Sequence, residues 1–171
     1  MMRMMRWLPK IALILLAGAY PTAPAQSPTE DQNVALQTKE RGYWVDPSTG
    51  LMWAAKDNGN DVNWKNAAKY CRDLLLTGNS DWRLPTIEEL ESIYDGSAST
   101  HDHSKYIIAG KPKGGLLLTG AHHWSSSPIL DDRGHRSGYG LEFDFWGGRR
   151  HEDPTGYSGQ IRALCVRRAG N

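Results

Sequence analysis

No internal repeat and no low-complexity tract interrupts this chain of 171 residues. Long apolar runs are also missing. The longest candidate, IALILLAGA, is about nine residues, where a bilayer span needs roughly 20. Cysteine is scarce, with Cys71 and Cys165 alone. Cysteine-rich metal and redox centres use closely spaced ligands, and this distant pair does not provide them. A surplus of one charge is lacking too, since the formal net charge is +1. That balance does not suggest a general polyanion binder such as a nucleic-acid protein, and it leaves room for local basic patches. The G-x-S-x-G turn, the Walker loop and the dinucleotide glycine pattern are absent. Their absence removes the usual sequence grounds for a serine hydrolase or a nucleotide enzyme.

What is present starts with an export signal. MMRMMRWLPK carries Arg3, Arg6 and Lys10 and no acid, IALILLAGA follows, and then comes Ala23-Pro24-Ala25. A basic segment, an apolar segment and an A-x-A site read as a signal peptide over residues 1–25, cleaved after Ala25. No lipobox cysteine follows, so a periplasmic or secreted protein is expected, without membrane insertion after cleavage. Removing three basic residues leaves seventeen against nineteen acids.

Residues 26–40, QSPTEDQNVALQTKE, are polar and read as a flexible lead-in. The domain is expected from Arg41 to Asn171. Eighteen Gly and nine Pro point to short strands, tight turns and long loops, and seven Trp and seven Tyr supply apolar area. GYWV and LMWAA flank the turn DPSTG and read as a hairpin. Asn63 caps a helix with Trp64, Ala67, Ala68, Cys71, Leu74 and Leu75 on one face, ended by Gly78. In SDWRLPTIEEL, Pro85 holds Leu84 extended, and Thr86 with Glu89 forms a T-x-x-E capping box. The helix after it carries the stripe Ile87, Leu90, Ile93, Tyr94. Trp82 and Leu84 pin its start to the core, and Arg83 reads as an ion-pair or carbonyl partner. HHWSSSPIL, GYGLEFDFWG and GQIRALCVRR read as strands. In the second, Leu141, Phe143 and Phe145 alternate with Glu142 and Asp144, the pattern of a half-buried strand.

In an exported protein, two cysteines read as a disulfide, against the alternative of two free thiols. His101, Asp102 and His103, and the pair His122 and His123, are the residues that a metal-dependent enzyme would use. No second ligand motif accompanies them, so they read as polar loop residues, and no cofactor is expected. Ser125, Ser126 and Ser127 read as ordinary strand and turn residues.

The order DPSTGLMW, the Trp64 helix with Cys71, SDWRLPTIEEL, HHWSSSP, LEFDFWGG and IRALCVRR resembles the Lcl C-terminal domain family from about Tyr43 to Arg168. That family is a bacterial exported domain of C-type-lectin-like fold. The resemblance implies an α+β domain, with two helices on small antiparallel sheets, long loops and neighbouring termini. It implies a bridge from Cys71 on the first helix to Cys165 at the last strand, and makes Trp82, Arg83, Leu84, Pro85 and Thr86 a fold motif. Some members end surface adhesins and are associated with sulfated polysaccharides. Calcium-dependent sugar-binding lectins carry an E-P-N or Q-P-D triplet and a W-N-D triplet. This chain has neither, with Trp124-Ser125-Ser126-Ser127 in place of the latter, so calcium-dependent sugar binding is not expected.

The expected function is therefore non-enzymatic binding. Trp146, Arg149, Arg150 and His151 form a basic, aromatic loop, and Asp132 and Arg133 lie in a second charged loop from Asp131 to Arg136. Aromatic faces stack on sugar rings, and Arg forks grip sulfate or carboxylate. The expected ligand is an acidic or sulfated polysaccharide. The alternative is a protein-interaction or structural module with an envelope protein as partner.

Overall fold

The computed structural model describes residues 27–97 and 111–170. The segment expected as an export signal and the cluster His101, Asp102, His103 lie outside the described residues.

The stretch expected as a flexible lead-in is instead mostly helix, α1 (Glu30–Arg41). Its ends are written in capping chemistry, with no strong apolar stripe to announce it. Thr29 and Gln32 exchange a capping box, Glu30 and Asp31 sit in the first turn, and Gly42 closes the far end in the left-handed region. The helix docks through Thr38, whose hydroxyl donates to the Gly114 carbonyl at 2.7 Å. A 3-10 turn at Lys113–Gly115 comes so close that a Cβ on Gly115 would lie 2.4 Å from Ala35 Cα, and one on Gly114 would enter the Trp44 ring. Gly114 and Gly115 both have positive φ, 72° and 67°.

The expected hairpin forms as β1 (Tyr43–Val45) and β2 (Leu51–Ala54). Asp46 ties its turn by accepting from the Ser48 and Thr49 hydroxyls, both at 2.7 Å. The last described strand, β9 (Val166–Arg168), pairs with β2, so the first and last strands share one sheet in the order β1-β2-β9.

Helix α2 (Trp64–Asp73) is capped by Asn63 as expected but stops short of Gly78. Leu74 is extended, Leu75 is 72% exposed, and Leu76 and Asn79 exchange backbone hydrogen bonds around a turn. That turn places Thr77 and Gly78 at positive φ, which a continuing helix excludes. The stretch Trp82–Pro85 then runs beside β9, with Arg83 N–H and C=O paired to Val166 at 2.9 Å each. Arg83 forks onto Glu89 at 2.7 Å through both terminal nitrogens and donates to the Leu84 carbonyl. Glu89 closes the capping box with Thr86 at the start of α3 (Ile87–Ser92). Ile87, Leu90 and Ile93 are buried, whereas Tyr94 has left the helix for β3 (Tyr94–Asp95), which pairs with β4 (Lys111–Pro112).

The main sheet has the order β7-β6-β5-β8, from β5 (His122–Leu130), β6 (Arg136–Asp144), β7 (Arg149–Pro154) and β8 (Ile161–Arg162). Within it, only the β5–β8 pair is parallel. Phe143 and Phe145 pack with α3, Trp53 and Leu164 in one core cluster. Trp124 packs with Ala67, Trp82, Ile161 and the two cysteines in another. Cys71 and Cys165 form a disulfide inside this second cluster, with Cα atoms 5.3 Å apart. The bridge closes a loop of 94 positions, for which chain-entropy models give roughly 4–5 kcal/mol. The half-buried pattern expected for β6 does not hold. Glu142 and Asp144 are 1% and 3% exposed, beside Phe143 at 1%. Both sheet faces are covered along this stretch. The two acids are kept by polar partners, His122 for Glu142 and the backbone N–H groups of Trp146 and Gly147 for Asp144.

Candidate functional site

Successive residues of a strand point to opposite faces, so His122 and His123 part company. His123 is fully buried, with Nε2 3.3 Å from Asp57 Oδ2. Asp57 also accepts from Thr119 N and Oγ1, both at 2.6 Å, and from Gly59 N at 2.9 Å. Burial pushes this carboxyl up, but the hydrogen bonds from His123 and Thr119 prevail and bring its pKa to about 2. The pair locks the loop after β2 to the sheet and presents no open atom.

His122 meets a different setting. Its Nδ1 lies 3.0 Å from each carboxylate oxygen of Glu142. The hydrogen bond to Glu142 holds the imidazole above its ordinary pKa against desolvation, and the charges of Glu142, Asp144 and Asp153 add to it. This face borders a cleft of about 320 Å³, lined by His122, Glu142, His151, Asp153, Tyr157 and Gln160. Gln160 has φ 61°. Left-handed backbone at a non-glycine residue is unfavourable, and such strain clusters at ligand sites. Tyr157 is 47% exposed and offers an aromatic face.

Asp144 joins the cleft to the neighbouring turn. Its oxygens accept from Trp146 N at 2.7 Å and Gly147 N at 3.0 Å, and Oδ2 lies 3.9 Å from His151 Nε2. The capped turn holds out Trp146, which is 60% exposed.

The sequence-derived ligand residues divide accordingly. Trp146, Arg149 and His151 lie together at the β6–β7 turn and the start of β7, next to the cleft. Arg150 points to the opposite face and is engaged by Glu91 at 2.5 Å and by Glu88 at 3.6 Å. Asp132 and Arg133 sit in the β5–β6 turn. Consecutive turns of an antiparallel meander lie at opposite ends of the strand between them. The nine residues of β6 therefore separate this pair from Trp146 by roughly 30 Å. The structure does not bring the two loops together. In the distal loop, Arg136 lies over the Trp64 ring at 5.0 Å. Ser125 and Ser126 donate to the Leu141 and Pro85 carbonyls, and Ser127 Oγ accepts from Ile87 N. Among the described residues, no group of three His, Cys, Asp or Glu side chains is placed to hold a metal ion.

Sequence reasoning misses Glu142, Asp153, Tyr157 and Gln160 as cleft residues. One signal points to them: two acids inside an aromatic strand, LEFDFW, facing a strand that begins with two histidines.

The fold and site together define a small disulfide-bridged α+β domain, with its first and last strands in one sheet and a polar cleft on another. The chain belongs to the Lcl C-terminal domain family, which matches residues 27–167 and so takes in α1. No curated protein matches the chain.

Proposed function

We propose that the protein is an exported, non-enzymatic, C-type-lectin-like module that binds polysaccharide along the outer face of β6 and β7. The observation that carries this reading is the polar cleft beside the capped Trp146 turn. Small-ligand sites combine a concave surface, an aromatic face and a few placed polar groups. Tyr157 and Trp146 provide the faces, and Arg149, His122 and His151 provide donors for an acidic or sulfated sugar. The disulfide suits an oxidising compartment outside the cytoplasm. Among the described residues, no helix is long and apolar enough to cross a membrane.

A glycan array with purified protein, with and without calcium and at two salt concentrations, tests the reading. The expected result is a calcium-independent signal on acidic glycans that weakens with salt. A blank array sinks it.

A second reading, a module that docks an envelope protein, draws on one feature. Leu36 and Leu117 are 53% and 46% exposed beside an apolar groove along α1. Under that reading, Leu36→Glu abolishes partner capture, while Trp146→Ala leaves it unchanged.

A further inference from the structure

The charge on the cleft floor depends on protonation, and its bearing on a ligand rests on the polysaccharide reading of this cleft. A buried carboxylate facing one ring nitrogen fixes the tautomer of a histidine. With Glu142 at Nδ1, that nitrogen keeps its proton, and Nε2 becomes the titrating atom. The ring is 31% exposed and lines the cleft. The His151 ring stands 6.0 Å away, centroid to centroid, with its own carboxylate neighbour in Asp144. The charged and titratable groups around His122 are Glu142 and Asp144 from β6, His151, Glu152 and Asp153 from β7, and Tyr157 from the loop after β7. Arg149 begins β7 across from Asp144, and β8 brings only apolar Ile161 to this side.

Protonated at both nitrogens, the His122 ring sets one positive charge against the Glu142 carboxylate, on a floor that also carries Glu152 and Asp153. With that ring neutral, these carboxylates stand without its countercharge and repel an incoming anion. At the same time Nε2 changes from donor to acceptor, and a sulfate or carboxylate oxygen needs a donor. We infer that the cleft admits an acidic polysaccharide only while His122 is doubly protonated, so the module holds this ligand in acid and releases it as the pH rises.

Retention of purified protein on immobilised heparin, at fixed ionic strength from about pH 6 to about pH 9, tests this across the range where imidazoles titrate. Affinity is expected to fall about tenfold, the size of one lost charge-assisted hydrogen bond. His122→Gln is expected to flatten the profile, and His135→Gln, in the distal turn, to keep it. By NMR, adding a heparin oligosaccharide is expected to raise the titration midpoint of the wild-type His122 ring. That readout decides alone if the variant does not fold. A flat wild-type profile, an unchanged slope in His122→Gln or an unmoved His122 midpoint overturns the inference and leaves the polysaccharide reading standing. No retention at any pH overturns both.

Discussion

His122 and His123 are neighbours in the chain, and each faces a carboxylate, yet the two pairs serve opposite ends. Asp57 receives three hydrogen bonds besides that of His123, from two separate loops, and the ring it holds is fully buried. Glu142 has His122 alone as a side-chain partner among the described residues, and that ring opens on a cleft. A carboxylate saturated with donors is fixed structure. One that keeps unused acceptor capacity beside a cavity leaves its histidine free to answer to solvent or ligand. The number of donors, and not the residue types, separates the two.

Breaking the closed pair has the larger expected effect. Asp57→Ala strands the Thr119 and Gly59 N–H groups and a buried imidazole, with an expected loss of about 3–5 kcal/mol in denaturant unfolding. A loss below about 1 kcal/mol, the net worth of one ordinary hydrogen bond, would leave the closed pair no more structural than the open one.

The pH dependence of the two pairs is next in size and opposite in sign. The Asp57 carboxyl is depressed from 3.8 to about 2, so its contribution is present above 3.8 and lost as pH falls through about 2. A shift of that size corresponds to about 2 kcal/mol. His122 is raised, so its contribution is full in acid and lost as pH rises through its folded-state pKa. Unfolding free energies across pH in wild type and His122→Gln check both signs. The variant is expected to lose the alkaline slope and keep the acid one.

Glu142→Gln keeps an acceptor for Nδ1, so its expected cost is smaller, about 1 kcal/mol, with heparin affinity reduced in acid. A cost as large as that of Asp57→Ala would make both pairs structural. The smallest expected stability effect is at Trp146. Its side chain is exposed, and Trp146→Ala is expected to stay within about 0.5 kcal/mol of wild type while ligand retention falls.

Much of the scaffold was legible because it is written in local chemistry. T-x-x-E at Thr86 announced α3, the Asp46–Gly50 turn announced the hairpin, and the cysteine pair announced the bridge. Helix α1 escaped because its ends carry the information and its faces do not. The burial of Glu142 and Asp144 escaped because alternation reports one covered face, whereas packing on α2, α3 and the loop after β7 covers both. The distance of Asp132 and Arg133 from Trp146 was not legible in the sequence, since it follows from the topology, in which successive turns of a meander stand at opposite sheet ends. Asp57 gave no signal at all. Apart from Gly59, its partners come from residues more than sixty positions away.

The position of Cys165, directly before β9, has a mechanical consequence. A pull on the C-terminal end peels Val166–Arg168 from β2 and then meets the covalent bond to Cys71. Force bypasses the main sheet and passes into α2, so the strands that shape the cleft carry no load.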